Sequence, residues 1–211
     1  MKQLRDLLGN SAIWEILEGE NTRKLIEFYE NEFEGCVEDD DIFAPDRSWR
    51  TEVSLLGLVA DGLENEDTLV VDAGCGIGLD ICALAHLFTN KGFIGYDISQ
   101  RKIDLARKRA KRLGNTNVEF YVRQHQQLLR TIKPNSVDVA YFKLPLFSKE
   151  RDSLDSRYAY IREALRTKGT LIRICSLNTH LIRMEEIPGF EHPEVFGRAF
   201  YSISLYRKVE S

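Results

Sequence analysis

The stretch V-V-D-A-G-C-G-I-G-L-D, residues 70–80, constrains this chain more than any other. It follows the β-branched run TLVVD (68–72) and opens a helical pattern carrying Leu79, Cys82, Ala83, Leu87 and Phe88 to about Thr89. A glycine turn between a strand and a helix belongs to a parallel α/β sheet, where it brings main chain close to a ligand. Gly74, Gly76 and Gly78 permit that approach, since a Cβ at such positions would collide or be strained. The spacing is G-x-G-x-G, with Leu79 where the dinucleotide fingerprint G-x-G-x-x-G runs on, so a pyrophosphate on the helix N-terminus is disfavoured. Asp72, two positions before the first glycine, would repel a pyrophosphate and suits a cationic amino-acid group. The expected ligand carries an ammonium and a sulfonium.

The alternation of strands and helices continues down the chain. FIGYD (93–97) predicts a second strand, Ser99 an N-cap for a basic helix, VEFYV (118–122) a third strand and VDVAYF (137–142) a fourth. A helix over about 151–166, with Leu154, Tyr158, Ile161 and Leu165 inward, then leads to a fifth strand, TLIRI (170–174). Asp97 ends the second strand 19 residues beyond Gly78, where a carboxylate can accept from both hydroxyls of a ribose. The tail GFEHPEVFGRAFYSISLYRK shows a turn-like Phe-Gly-Arg between extended runs, and FYSISLYR (200–207) alternates like a half-buried strand, so an antiparallel hairpin is expected at one sheet edge. Residues 1–60 have a helical pattern, with Leu25, Phe28, Tyr29 and Phe33 on one side; the run EDDD (38–41) before Ala-Pro marks a connecting loop. The expected division is a helical lid over 1–47 and a catalytic domain over 48–211.

A length of 211 residues suits one α/β domain with a sizeable core, and 43% hydrophobic with 29% charged residues excludes a disordered chain. The opening MKQLRDLLGN lacks the apolar core of a secretory leader, and no run approaches the roughly 18 apolar residues of a membrane span, so a soluble cytoplasmic protein with no membrane association is expected. Cys36, Cys75, Cys82 and Cys175 lie far apart without metal-ligand spacing, which points to free thiols and no metal site. Charge is uneven: residues 15–46 hold twelve acidic and two basic side chains, and residues 99–133 hold ten basic and two acidic. The basic stretch could attract nucleic acid, but RKIDLARKRAKRL also fits an amphipathic helix with Ile103, Leu105, Ala106, Ala110 and Leu113 inward and its charges solvated; the second reading is preferred.

From about residue 48 to 208 these motifs, in this order, resemble the class I S-adenosylmethionine-dependent methyltransferases. The resemblance implies a Rossmann-like three-layer α/β sandwich with a seven-stranded, mostly parallel sheet, in which the hairpin 192–207 inserts the last strand antiparallel beside strand five. It implies S-adenosyl-L-methionine as cofactor, its methionine portion at Asp72 and the loop 74–78 and its ribose at Asp97. In the family the adenine commonly meets an acidic residue and the next backbone N–H after strand three; the matching place here is Gln124-His125, where Gln124 can accept through its amide oxygen. The expected cofactor-binding set is Asp72, Ala73, Gly74, Cys75, Gly76, Gly78, Asp97, Ile98, Gln124, His125, Phe142 and Lys143. Cyclisation, decarboxylation, aminopropyl transfer or simple cofactor binding are other uses of this scaffold.

Methyl transfer is an in-line displacement at an activated carbon, so proximity and alignment dominate and a general base is optional. His180 and His192, flanking the segment after strand five, and Tyr29 are candidates for that role; His86 reads as a helix residue and His125 as a wall of the adenine pocket. After strand four, F-K-L-P-L-F-S (142–148) matches neither the N/D-P-P-Y of amide and exocyclic-nitrogen methylases, nor the histidine of plant-type O-methyltransferases, nor the metal-binding acids of catechol-type enzymes. Phe142, Leu146 and Phe147 could instead form an apolar wall, completed by Phe28, Tyr29 and Phe33, with Lys143 holding a substrate carboxylate. The expected partner is a small-molecule acceptor with an O, N or C nucleophile, in a monomer or homodimer; RNA or protein methylation is the alternative.

Overall fold

A computed structural model describes residues 19–34, 56–57, 59–60, 63, 68–124, 127, 130–144, 159–176, 194–198 and 201–209. The chain divides into two compact units, Met1–Glu66 and Asp67–Ser211. In the first, helix α1 (Glu20–Glu34) buries Leu25, Phe28 and Tyr29, the last two in an edge-to-face ring contact with centroids 5.9 Å apart. Residues 56–57 and 59–60 are helical, and Gly57 backs so closely onto Thr22 of α1 that an added Cβ would lie 2.1 Å from its Oγ1. The described residues 56–57, 59–60 and 63, assigned from the sequence to the catalytic domain, fall within the first unit.

The second unit is built on a sheet of order β3-β2-β1-β4-β5-β7-β6. Its strands are β1 (Leu69–Ala73), β2 (Gly92–Asp97), β3 (Val118–Val122), β4 (Val137–Leu144), β5 (Leu165–Ser176), β6 (Glu194–Arg198) and β7 (Tyr201–Arg207). The first five pair in parallel, while β7 runs antiparallel to both β5 and β6. This is a Rossmann-like α/β arrangement, and its strand order reverses between β1 and β4. Phe196, Gly197 and Arg198, expected as the hairpin turn, lie within β6, paired with Ile203, Ser202 and Tyr201 of β7.

Helices cover both faces. Helix α2 (Leu79–Leu87) buries five consecutive residues, Ile81 to Ala85, as expected of a helix wedged between sheet and neighbour. Helix α3 (Gln100–Leu113) is amphipathic and buries Ile103, Ala106 and Ala110; the Ser99 hydroxyl accepts from the Lys102 N–H at its start, and Gly114 ends it at φ 70°. On the other face Val71, Ala73, Tyr96, Ala140 and Leu171 pack in one cluster with Ile132, Ile161 and Ala164. The helix expected over 151–166 ends earlier: residues 159–164 are helical and β5 starts at Leu165. The register between β4 and β5 shifts after the Val137–Leu165 pair, with Lys168 at φ 63°, and TLIRI forms the regular centre of the strand. Leu165, fully buried, is thus a core residue in an extended segment.

One polar side chain ties α2 to the sheet. Asn117, just before β3, directs its amide nitrogen at the carbonyls of Ala85, Phe88 and Lys91, at 3.2, 2.9 and 3.0 Å. Ala85 lies in the last turn of α2 and Phe88 caps it, where helix carbonyls run out of intrahelical donors; the Phe88 carbonyl also accepts from the Lys91 N–H at 3.2 Å. Replacing Asn117 with Ala should cost about 1–3 kcal/mol, the usual penalty for stranding buried acceptors, read as a lower urea midpoint at unchanged slope. A midpoint within error of the parent would show that water satisfies these carbonyls.

Candidate active site

In an open α/β sheet the crevice lies beyond the carboxyl ends of the strands where the order reverses, which here is the end of β1 beside β4. The glycine loop leaves β1 at that point. Gly74 and Cys75 donate their N–H groups to the Tyr96 carbonyl at 2.8 and 3.0 Å, so the loop begins as an extension of the β1–β2 pairing. Gly76 donates to Asp97 Oδ2 at 3.1 Å, and Ser99 donates to Asp97 Oδ1 at 2.9 Å. Each carboxylate oxygen has two lone-pair sites, so these bonds leave acceptor capacity at Asp97 for a diol. The Asp97 carbonyl in turn accepts from the Arg123 N–H at 3.0 Å, which joins the ends of β2 and β3.

The three loop glycines do different work. All have positive φ, at 92°, 55° and 74° for Gly74, Gly76 and Gly78. A Cβ on Gly74 or Gly76 would meet nothing within 4 Å, so bare main chain faces open space beside the Asp97 carboxylate. Gly78 is closed in: a Cβ there would lie 2.7 Å from the Ala106 Cβ and 3.1 Å from the Phe120 ring. Arg109, buried on the inner side of α3, donates to the Ile77 carbonyl and pins the end of the loop to that helix.

Beneath the loop, Asp72 pairs in register with Gly95 on one side and Tyr141 on the other. Gly95 has no space for a side chain, because a Cβ would lie 2.9 Å from the Phe120 ring and 3.0 Å from the Cys75 sulfur. The Tyr141 hydroxyl donates to Asp72 Oδ2 at 2.8 Å, and both residues are buried. Burial pushes the Cys75 thiol well above its ordinary range, and the negative charges of Asp72 and Asp97 push it further. Cys75 therefore stays a neutral thiol at physiological pH, in a negative field that favours a cationic ligand.

Most of the cofactor set expected from the sequence meets here. Asp72, Ala73, Gly74, Cys75, Gly76, Gly78 and Asp97 form the loop and its anchors, and Ile98 follows with a 71% exposed side chain. Gln124 is exposed next to Arg123; its N–H lies 3.4 Å from the Gln127 amide oxygen, and its carbonyl accepts from the Gln127 N–H at 2.9 Å. Phe142 and Lys143 belong to the last part of β4, while Phe28, Tyr29 and Phe33 lie on α1, in the first unit. His125, Leu146, Phe147, His180 and His192 lie outside the described residues. Tyr141 and Arg109 were not singled out from the sequence. Arg109 carries a visible signal, since it falls on the stripe of Ile103, Ala106 and Ala110, whereas Tyr141 becomes meaningful only once the register of β1 with β4 is known.

An open glycine loop with positive φ, a carboxylate bound across it and a buried acid below form a site of the nucleoside-cofactor type found in class I methyltransferase folds, and its residues fit S-adenosylmethionine. Residues 64–192 match the family described as Methyltransferase domain. The chain belongs to that family, and S-adenosylmethionine is its cofactor. It is similar to the tRNA (guanine-N(7)-)-methyltransferase of Rubrobacter xylanophilus, 29% identical over 77 residues that cover 36% of this chain and 34% of that one. The chain thus spans about a third of the length of that relative, and 12% of a second from Rickettsia prowazekii, 35% identical over 71 residues. Among solved structures it shares its fold with an S-adenosylmethionine-dependent O-methyltransferase of Thermotoga maritima, with TM-score 0.62, 18% identity and coverage of 89% of this chain and 72% of the other. The cyclase SpnF aligns equally well, with TM-score 0.62, 17% identity and coverage of 89% and 94%.

The contrast between two glycines can be measured. Gly78→Ala adds a steric clash to the roughly 1–2 kcal/mol of left-handed strain and should lower the melting temperature more than Gly76→Ala, which carries the strain alone. Gly76→Ala should instead lose proportionately more affinity for S-adenosylmethionine in a calorimetric titration, because its methyl group enters open space over the loop. Equal losses of stability and affinity in the two variants would refute this division.

Proposed function

We propose that this protein transfers the methyl group of S-adenosylmethionine to a small-molecule acceptor with an O, N or C nucleophile. The observation that carries the cofactor is the tie between Gly76 and Asp97, which holds open main chain and a carboxylate on the same side of one crevice, and methyl transfer is supported by the family match over residues 64–192. S-adenosylmethionine, when bound, supplies an electrophilic methyl carbon for in-line displacement, with S-adenosylhomocysteine as the by-product. On this reading Asp97 accepts from the ribose hydroxyls, Asp72 and the loop hold the methionine end, and Gln124 with His125 meets the adenine. Support for a small acceptor comes from the sequence of the end of β4 and the residues after it, apolar at Phe142, Leu146 and Phe147 and without the N/D-P-P-Y of amide and exocyclic-nitrogen methylases. The acceptor roles of Phe28, Tyr29, Phe33 and Lys143, and a base role for His180, His192 or Tyr29, are part of the same proposal, as is a lid function for residues 1–47.

Asp97→Ala removes a prospective diol acceptor and two backbone tethers at once, so affinity for S-adenosylmethionine should fall by roughly tenfold or more, the scale of a lost charged hydrogen bond. Titration calorimetry on parent and variant tests the cofactor assignment; formation of S-adenosylhomocysteine with a panel of small acceptors tests methyl transfer. Absence of binding by the parent at millimolar cofactor would end the first, and turnover without S-adenosylhomocysteine would end the second.

A second reading, RNA methylation, is favoured by the surface of α3. Arg101, Lys102, Arg107, Lys108, Lys111 and Arg112 are exposed on it against one acid, Asp104. Beside its C-terminal end lies a groove of about 560 Å³ lined by Arg107, Lys111, Asn115, Thr116 and Tyr121 among others. Similarity to a relative named as a tRNA methyltransferase points the same way. Phosphate contacts release counterions, so this reading requires tRNA binding that weakens steeply between about 50 and 200 mM salt. A Lys108→Glu/Lys111→Glu variant that binds tRNA as the parent does, or a flat salt response, would exclude it.

A further inference from the structure

The proposed reading leaves Tyr141 unused, although the sheet register sets it beside Asp72 with its hydroxyl at hydrogen-bonding distance. The pair spans adjacent parallel strands: Asp72 on β1 and Tyr141 on β4 are register partners, so their side chains leave the sheet on the same face. On the other side of Asp72 the partner is Gly95, which has no side chain to share the space. The hydroxyl of Tyr141 donates to Asp72 Oδ2 at 2.8 Å; Tyr141 is fully buried and Asp72 is 4% exposed. A Phe here would fill the same volume, so packing alone does not call for the hydroxyl.

We propose that Tyr141 is a positioning residue for the cofactor: by donating to Oδ2 it fixes the rotation of the Asp72 carboxylate, so that the carboxylate is presented in one orientation to the ammonium of the aminocarboxypropyl end of S-adenosylmethionine. This rests on the cofactor reading above. The bond acts at a distance from the ligand, through Asp72, and it concerns only the amino-acid end. On that reading ribose and adenine are served by other elements, the ends of β2 and β3, where Asp97 and Gln124 lie. Removing the hydroxyl therefore has a selective consequence. Affinity for ligands that carry the amino-acid group falls, and affinity for the same nucleoside thioether without that group does not.

The test compares S-adenosylmethionine with 5′-methylthioadenosine, which keeps adenine, ribose and sulfur but lacks the aminocarboxypropyl chain and the sulfonium charge; S-adenosylhomocysteine, a neutral thioether that keeps the chain, is titrated beside them and should weaken as S-adenosylmethionine does. With Tyr141→Phe, affinity for S-adenosylmethionine should drop by roughly three- to tenfold, the scale of one hydrogen bond to a charged group, while that for 5′-methylthioadenosine stays within about twofold. Asp72→Asn, alone and combined with Tyr141→Phe, completes a double-mutant cycle; the two losses should be strongly non-additive, since the hydroxyl works through the acid. Equal weakening of both ligands would reveal a structural role and overturn the proposal, as would unchanged affinity for both or additive losses in the cycle. A parent protein that binds 5′-methylthioadenosine but not S-adenosylmethionine would sink the cofactor reading itself. Far-ultraviolet circular dichroism and melting of each variant establish that the comparison is between folded proteins.

Discussion

The main chain at residues 74–76 is hydrogen-bonded to the end of the neighbouring strand, and the candidate site depends on that tie. Two N–H groups share the Tyr96 carbonyl and a third reaches the Asp97 carboxylate. Together they hold the loop in a left-handed conformation that an isolated peptide would not keep, so the protein bears its ordering cost during folding and not on binding. Parallel pairing of β1 with β2 sets which carbonyl and which carboxylate stand opposite the loop. A slip of one residue between them would put Asp97 and Asp72 on opposite faces and dissolve the arrangement.

Electrostatics follow from the same pairing. Asp72 and Asp97 both act on the Cys75 thiol, which lies between the loop and the strands and is held neutral by burial and by their charge. A pyrophosphate would be opposed by this field, while a sulfonium with an ammonium is drawn to it. The family assignment and the local physics thus agree on a cationic cofactor. They reach that agreement from different observations, one from the match over residues 64–192 and the other from two carboxylates at the ends of adjacent strands.

The acceptor is a separate matter, because one scaffold carries many reactions. A tRNA methyltransferase, an O-methyltransferase and a cyclase all lie among the chain's relatives and structural neighbours. In this chain the residues that follow β4 begin with the apolar run Pro145-Leu146-Phe147, and the exposed side of α3 is cationic. The cofactor end of the crevice is built from regular structure, and so it is the part that physical reasoning from the fold reaches best.

Much of this was legible in the residues themselves. Three glycines at alternate positions after a β-branched run announced a left-handed turn, an acid 19 residues later marked the end of the next strand, and Ser99 and Gly114 bracketed α3. These signals are local: positive φ demands glycine, and a cap needs a short oxygen-bearing side chain at one position. Other features were misjudged or missed for an equally physical reason. Leu165 has the spacing of a helical core residue yet begins β5, because pairing with Val137 overrode local preference. The link from Asp72 to Tyr141 joins residues 69 apart and exists only through the register of two strands, and the role of Gly95 emerges only when Phe120 and Cys75 close on it. The sequence by itself determined a left-handed glycine loop with an acid at the end of each flanking strand, because those signals are local; tertiary structure alone decided which buried side chains hold those groups in place, since partners far apart in sequence are chosen by register and packing.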